Sequence, residues 1–254
     1  RGLVDGGVST FSLSKTAWLV RTQKDRFTVL EKDGVNVQYL AFNLLHPILA
    51  HREVRQEISL AIDSTAFSNL KNYGYLKPTG SFLAPFLSEA EAITLPFDLQ
   101  QAERLLDSAG FPRGPHGLRF TLRYKTTPLR DGFEVAQYVR ENLSHIGIEV
   151  EIETVENALL VTSMRTGNFE LYSSRWVGVS DASILWRTLY SGSKSNRVHY
   201  RDAETDGMLK RAMTERNEKA RTARMRKIQI RMAQELPYAP LWIWKTQFIV
   251  RKER

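Results

Sequence analysis

The side chains that most often carry catalysis or bind metals are present in this chain, but their spacing favours neither role. The five histidines, at positions 46, 51, 116, 145 and 199, are scattered, and no two have the spacing of metal ligands on one helix. The absence of cysteine excludes disulfide bonds, thiolate metal sites and cysteine nucleophiles. The sequence has no phosphate-binding loop, dinucleotide-binding glycine pattern or nucleophile elbow. A Ser-His-Asp triad would assemble only in space, and the sequence points to no particular serine. We therefore expect no enzymatic centre, no metal site and no cofactor.

The segment most typical of a binding function is residues 168–190, which read NFELYSSRWVGVSDASILWRTLY. Its first part alternates as a β-strand that ends in Arg175, Trp176 and Val177, and a helix is predicted from Asp181. Open α/β sheets bind ligands at the carboxyl ends of their strands, so a site is expected here. Trp176 has two interpretations, a ligand contact or a buried core residue, and periodicity alone favours the core. Because side chains alternate along a strand, Arg175 and Trp176 should point to opposite faces.

The positive charge of the chain is concentrated in one helical region. Of a formal net charge of +8, residues 208–231 contribute +7, from nine Lys and Arg residues against Glu215 and Glu218. These basic residues surround much of the helix and are not interleaved with aromatic residues. That pattern favours solvated helix faces over a nucleic-acid interface.

The pattern of predicted elements indicates the fold class. With 42% apolar residues over 254 positions, the chain can bury one large core or two modest ones. Strand and helix patterns alternate along it, which predicts an α/β domain with a largely parallel sheet. Residues 73–96 are rich in Gly and Pro and should form a long ordered loop.

Some local predictions concern strand ends, helix caps and buried faces. Residues 26–30 are predicted as a short strand, followed by a turn at residues 32–34. The helix predicted at residues 52–63 should bury an apolar stripe and expose Arg52, Arg55 and Glu57. Three further helices are predicted to begin at the capping residues Asp98, Asp131 and Asn157.

Several short motifs follow one another in a characteristic order. They are YLAFN at residues 39–43, VRQE at 54–57, AID at 61–63, D…A…LL…AGF at 98–111, NFE at 168–170, WVG at 176–178 and PYAPL at 237–241. Together they resemble the C-terminal half of the family 5 extracellular solute-binding proteins, which include the oligopeptide- and dipeptide-binding proteins of ABC importers. The resemblance covers most of the chain.

The resemblance implies a two-lobed clamshell protein that traps its ligand between the lobes. This chain would supply the second lobe, a type II periplasmic-binding-protein-like α/β lobe with a mixed, mainly parallel sheet flanked by helices. We expect residues 1–36 to connect from an N-terminal lobe that is missing here, and residues 37–236 to form the C-terminal lobe. Residues 237–254 would return as strands toward the missing lobe, and both ends are expected to continue into a longer protein.

The same resemblance implies which residues hold the ligand in segment 168–190. Trp176 becomes a candidate wall of the cleft. Peptide-binding members anchor the amino terminus of the peptide on an aspartate three residues after this tryptophan; the position here is Val179, so that anchor is absent. Asp181 is a candidate contact for an ammonium group or the N-cap of the following helix, and both roles stay open.

Two parts of the chain supply basic residues that are candidates for binding the ligand. Some family members present a basic residue to the peptide carboxylate from the loop that corresponds to residues 125–131, which makes Lys125 and Arg130 candidates. Arg175 is a further candidate, although only one of Arg175 and Trp176 should face the ligand. The alternative for the two loop residues is that they are ordinary surface residues.

The implied function is substrate binding for an ABC importer, with a peptide or related small solute as ligand and a membrane permease as partner. We expect a monomeric periplasmic or lipid-anchored protein, made with a signal peptide and without enzymatic activity. Two alternatives stay open: a solute-sensing domain of a transcriptional regulator, and a nucleic-acid-binding protein that uses helices 208–231. Since family members take peptides, nickel chelates, haem or sugars, the sequence does not name the ligand.

Overall fold

The architecture is one mixed sheet with helices on both faces, as shown by a computed structural model that describes residues 6–9, 11–71 and 73–252. Its strands are β1 (Gly6–Val8), β2 (Phe27–Phe42), β3 (Leu76–Pro78), β4 (Phe120–Thr126), β5 (Ile148–Thr154), β6 (Leu171–Trp176) and β7 (Tyr238–Arg251). Its helices are α1 (Leu13–Thr22), α2 (Arg52–Leu60), α3 (Ser64–Lys71), α4 (Leu99–Ser108), α5 (Arg130–His145), α6 (Asn157–Thr166), α7 (Ser183–Leu189), α8 (Ala203–Thr214) and α9 (Glu218–Glu235). Residues 1–5 and 253–254, which belong to the expected connecting and returning segments, lie outside the described residues.

The strand order is β1-β7-β2-β6-β4-β5, and β3 also pairs with β7. The α/β class and the mixed sheet flanked by helices are confirmed. The expectation of a mainly parallel sheet is wrong, because only β4 with β5 and β4 with β6 pair in parallel, whereas the other four pairings are antiparallel. Alternation of helices and strands correctly predicts the parallel unit from β4 to β6. The alternation carries no information on the direction of β2 and β7, because these two strands lie far apart in the sequence and no single crossover helix connects them.

Strands β2 and β7 form the long central ladder of the sheet. Their register runs from Phe27 opposite Arg251 to Ala41 opposite Tyr238, with irregularities after Asp33 and after Gln38. The predicted turn at residues 32–34 is therefore wrong, since the strand continues through a bulge. A Cβ at Gly34 would clash with the carbonyl oxygen of Trp244, so the bulge requires a glycine for the close approach of the two backbones.

The sheet separates two apolar cores, because alternate residues of each strand face opposite sides. On β2, Leu40 and Phe42 belong to a first core, which packs under α2, α4 and α5. Tyr39 and Ala41 belong to a second core, which packs under α6 to α9. A binding surface on either face consequently has its own supporting core.

Arg55 is buried, contrary to the prediction that it faces solvent. Its guanidinium donates hydrogen bonds to the carbonyl oxygens of Leu49 at 2.8 Å, Ala50 at 2.9 Å and Leu236 at 3.0 Å. Burial lowers its pKa to about 10. The sequence prediction failed because it treated an arginine on the polar side of a helix as solvated. Here the C-terminal end of α9 supplies carbonyl groups that satisfy the charge.

Glu57, also predicted to be exposed, lies on the same helix with 2% of its surface exposed. Its Oε2 atom has no hydrogen-bond partner within the described residues. Burial raises the pKa of this carboxyl to about 7, because the charged form loses its solvation.

The helix caps follow the predictions in part. Asp98 accepts a hydrogen bond from the backbone N–H of Gln101 at 2.8 Å and caps α4, as predicted. Asp131 and Asn157 are not caps, because both lie inside their helices. Helix α5 begins at Arg130 and α6 begins at Asn157, with Leu129 and Glu156 in the cap positions. Asp131 still lies in the first turn of α5, where a negative charge interacts favourably with the helix dipole.

Of the two predicted segment boundaries, one falls inside a strand and the other falls between two elements. The boundary after residue 36 falls inside β2, and the preceding residues include α1 and the first part of that strand. The boundary after residue 236 coincides with the step from α9 to β7. The predicted loop at residues 73–96 contains the short strand β3 and is otherwise without helix or strand.

Glu57→Gln should remove a pH-dependent loss of stability. A carboxyl whose pKa is raised by folding stabilises the protein fully below its unfolded pKa, and this contribution is lost as the pH rises through the folded pKa of about 7. We expect wild type to lose about 1–3 kcal/mol relative to the variant between about pH 5 and pH 8. Urea denaturation at both pH values measures this difference. Glu141→Gln, at an exposed position of α5, is the control and should leave the pH profile unchanged; parallel profiles for wild type and Glu57→Gln would contradict the assignment.

Candidate functional site

A concave surface of about 540 Å³ lies at the carboxyl ends of β4 and β6, beside the N-terminus of α5. We define this concave surface by eight of the residues that line it: Gln38, Phe67, Thr127, Arg130, Ser173, Arg175, Trp242 and Trp244. The position agrees with the edge at which open α/β sheets bind ligands.

Aromatic rings form the apolar part of the concave surface. Phe67 and Trp242 stack with their ring centroids 4.6 Å apart and their planes at 18°. Trp244 lies two residues further along β7, and the guanidinium of Arg175 lies over its ring at 4.7 Å. The indole Nε1 atoms of Trp242 and Trp244 are buried without a hydrogen-bond acceptor within the described residues. Phe67 and Trp242 are 3% and 1% exposed and belong to the first core, so they support the surface from below, whereas Trp244 is half-buried and offers part of its ring to a solute.

Charges of both signs border the same surface. Arg130, in the first turn of α5, pairs with Glu134 at 2.8 Å, and Asp131 lies between them on the lining. The cap residue Leu129 offers no side-chain acceptor to the first backbone N–H groups of the helix. Two arginines, two carboxylates and the positive end of a helix dipole therefore surround the hollow. This balance suits a polar or zwitterionic solute better than a simple ion.

The hollow continues beyond the sheet edge. A second depression of about 370 Å³ shares Arg130, Arg175 and Trp244 with the concave surface and extends to Ser12 at the start of α1. The segment before residue 37 thus borders the same groove as the lobe that follows it.

The structure brings two predicted site residues together on the concave surface, Arg130 and Arg175. Lys125 lies elsewhere, with 5% of its surface exposed. Its Nζ atom is 3.6 Å from Glu153 Oε1 and 3.5 Å from Ser163 Oγ, between β5 and α6.

Trp176 and Arg175 point to opposite faces of the sheet, as strand alternation predicts. Trp176 is 9% exposed and stacks on Tyr39 in the second core, with the ring centroids 5.9 Å apart. Trp176 therefore packs as a core residue and does not line the concave surface. Val179 is also buried in the second core, and its backbone N–H donates to the carbonyl of Val35 at 2.9 Å.

Asp181 forms a local turn before α7. Its Oδ1 accepts a hydrogen bond from the backbone N–H of Ser183 at 2.7 Å, where that helix begins. Hydrogen bonds from Ser183 lower the pKa of this carboxyl. The arrangement satisfies a free donor of the helix N-terminus, as a capping residue does, although the formal cap position is Ala182.

Sequence reasoning missed the residues from β2, α3 and β7 on the concave surface, namely Gln38, Phe67, Trp242 and Trp244. Ser173 and Arg175 share a strand face by their spacing of two, which could have indicated one wall. The alternation of Trp242 with Trp244 was a second available signal. The pairing of β7 with β2 places Trp242 beside Gln38. No local sequence pattern predicts that pairing.

The basic helices carry ion pairs with neighbouring acidic residues. Arg221 pairs with Glu89 at 3.0 Å, and Arg231 pairs with Asp202 at 3.0 Å and with Glu204. These ion pairs connect α9 to neighbouring segments and neutralise part of its positive charge. Such pairing is typical of basic residues on solvated helix faces.

Two further features concern metal binding and membrane insertion. In residues 6–9, 11–71 and 73–252 no three His, Asp or Glu side chains are grouped as ligands for a metal ion. No helix of the same residues combines the length and apolarity needed to cross a membrane.

Comparison with known proteins gives a consistent family. The model of the "Bacterial extracellular solute-binding proteins, family 5 Middle" matches residues 4–197. Among curated relatives, the probable ABC transporter periplasmic-binding protein SapA of Escherichia coli is 27% identical, over 85% of this chain and 41% of its own length. The periplasmic murein peptide-binding protein MppA of Escherichia coli is also 27% identical, over 80% of this chain and 39% of its own length.

Solved structures show the same fold. HbpA2 from Haemophilus parasuis superposes with a TM-score of 0.86 at 20% identity, covering 96% of this chain and 49% of that one. The oligopeptide-binding protein AppA from Bacillus subtilis, solved with a nonapeptide, gives 0.80 at 20% identity, covering 93% and 50%. The chain thus spans about half the length of the proteins that it matches, or less.

Asp181→Ala should reduce stability, because the N–H of Ser183 loses its acceptor. We expect a loss of about 0.5–2 kcal/mol at neutral pH. Since folding lowers the pKa of Asp181, the contribution of its charge is present above the unfolded pKa and is lost as the pH falls through the folded pKa. Thermal denaturation at neutral and acidic pH measures both effects. Asp181→Asn is the matched control, since it keeps the oxygen acceptor, and an unchanged stability of Asp181→Ala would contradict a capping role.

Proposed function

This chain belongs to the bacterial extracellular solute-binding proteins of family 5, and on that basis we propose that it is the C-terminal lobe of a substrate-binding component of an ABC importer. The ligand is a peptide or related small solute, captured when two lobes close over it. The protein acts in the periplasm or anchored outside the cytoplasmic membrane, as a monomer that delivers solute to a membrane permease and catalyses no reaction.

The concave surface is the observation that carries this proposal. It combines the half-buried ring of Trp244, over which Arg175 lies, with charges of both signs at the carboxyl edge of the sheet. It is open on one side, so that it forms one wall of a site. A solute held against it needs a second wall to be desolvated, which is what closure of another lobe provides.

Exposed apolar residues on the distal part of the sheet support the proposed domain organisation. Val8, Leu30, Phe248 and Val250, on β1 and the far ends of β2 and β7, are between 37% and 56% exposed. Apolar residues concentrated on a paired sheet ribbon favour cover by another protein segment. We propose that the N-terminal lobe provides this cover, with residues 1–36 and 237–254 as the connections to it.

The names of the relatives support the proposed compartment and the proposed ligand class. SapA and MppA are described as periplasmic, and MppA and AppA as peptide-binding. Val179 is apolar and buried, so a peptide amino terminus must find its anchor at another position, and Asp131 and Glu134 are the carboxylates that border the concave surface. A ligand with both a positive and a negative group matches the charges there.

Substitutions on the concave surface should weaken solute binding in the full-length natural protein. Trp244→Ala removes a ring face, and Arg175→Gln removes a charged donor, so each should reduce affinity by roughly 10-fold or more. Native mass spectrometry identifies a co-purifying solute, and calorimetry with that solute and a set of synthetic tripeptides measures the affinity. Arg140→Gln, exposed on α5 away from the surface, is the control. Equal affinities for all variants, or no binding by any of these probes, would overturn the proposal.

Residues 1–254 alone should bind peptide far more weakly than the two-lobed protein. Because the ligand would remain open to water on one side, we expect affinity to fall by roughly 100-fold or more. Calorimetry with the same peptide on both proteins tests this, and circular dichroism checks that the shorter chain is folded. Comparable affinities would show that lobe closure contributes little.

A further inference from the structure

Two arginines converge on Trp176, on the face of β6 opposite the concave surface. The Cζ atom of Arg187 lies 5.6 Å from the indole ring, and that of Arg197 lies 5.4 Å from it. Neither guanidinium forms an ion pair with a carboxylate in the part of the chain that the structure describes. Arg197 makes a weak polar contact with Met164 Sδ at 3.9 Å, and its charge opposes the rise that burial causes in the pKa of the neighbouring Tyr39.

Hydrogen-bond donors without acceptors lie in the same cluster. Trp176 Nε1 and the hydroxyl groups of Tyr172 and Tyr238 are buried without a partner within the described residues. The three rings pack around Tyr39, which lies 5.9 Å from Trp176, 6.2 Å from Tyr172 and 5.3 Å from Tyr238. Burial raises the pKa of Tyr172, and the charge of Arg197 opposes that rise.

Two guanidinium groups lie over one indole ring without a carboxylate partner among the described residues, and the indole N–H has no acceptor there. Buried polar groups without partners cost free energy. An anion with several acceptor oxygens would satisfy both the arginines and the neighbouring donors, since guanidinium groups bind carboxylate and phosphate oxygens with matched geometry.

We propose that Arg187, Arg197 and the indole N–H of Trp176 form a binding site for an oxyanion, the carboxylate or phosphate group of a small molecule. Arg187 is exposed and lies at the entrance, whereas Arg197 is half-buried and lies deeper.

The site is separate from the concave surface and does not rest on the proposed function. Arg175 and Trp176 are neighbours on one strand, and alternation sends them to opposite faces. A solute on the concave surface contacts Arg175 and Trp244, whereas the oxyanion contacts the arginines packed on Trp176. The two sites can therefore be tested one at a time.

The test follows the indole N–H resonance of Trp176 in the full-length protein by nitrogen-15 NMR, with the signal assigned by its loss in Trp176→Phe. Sodium acetate and inorganic phosphate are the probes, and sodium chloride at matched ionic strength is the reference. We expect a saturable shift with at least one probe. A response to acetate alone assigns a carboxylate site, a response to phosphate alone assigns a phosphate site, and a response to both assigns a general oxyanion site.

Arg187→Gln and Arg197→Gln should each weaken that response by roughly 10-fold or more, because each removes a charged donor. Arg104→Gln, exposed on α4, is the control and should leave it unchanged. Since Arg187 is exposed, its variant decides the outcome even if Arg197→Gln fails to fold. The inference is overturned if both probes act no differently from chloride, or if Arg187→Gln responds as Arg104→Gln does.

Discussion

The antiparallel pairing of β2 with β7 is the interaction on which the rest of the structure depends. These two strands run beside each other from Phe27 and Arg251 to Ala41 and Tyr238, so they join the beginning and the end of the chain through backbone hydrogen bonds. Both cores pack against them, and both ends of the sheet are extended from them. Gly34 matters here because its lack of a side chain lets the bulge of β2 approach the carbonyl of Trp244.

The same pairing gives the two faces of the sheet different chemistry. On one face, β2, β6 and β7 contribute Gln38, Ser173, Trp242 and Trp244 to an open surface with balanced charges. On the other face, the next residues along these strands, including Tyr39 and Trp176, pack into a core bordered by arginines. A register shift of one residue would exchange the two sets, so the pairing determines which side chains line the open surface.

Local sequence patterns predicted the parts that depend on local physics. The strand at β6, the cap at Asp98 and the opposite directions of Arg175 and Trp176 follow from alternation and from the hydrogen-bonding needs of a helix end. The errors arose where a distant segment changes the environment. Arg55 and Glu57 are polar and were expected to face solvent. The end of α9 instead supplies carbonyl acceptors to Arg55, and Glu57 is buried with 2% of its surface exposed. The parallel share of the sheet was overestimated for a similar reason, since strand direction depends on partners far away in the chain.

The sequence by itself determined the family and the α/β class, because motif order and periodicity are properties of neighbouring residues. It left Trp176 open between a ligand contact and a core residue, and Asp181 open between a ligand contact and a cap. Only the tertiary structure placed Trp176 in the second core and brought Trp242 and Trp244 beside Arg175. The physical reason is that the composition of a surface depends on which strands pair and in which register, and that choice is made by burial of two cores across the whole chain.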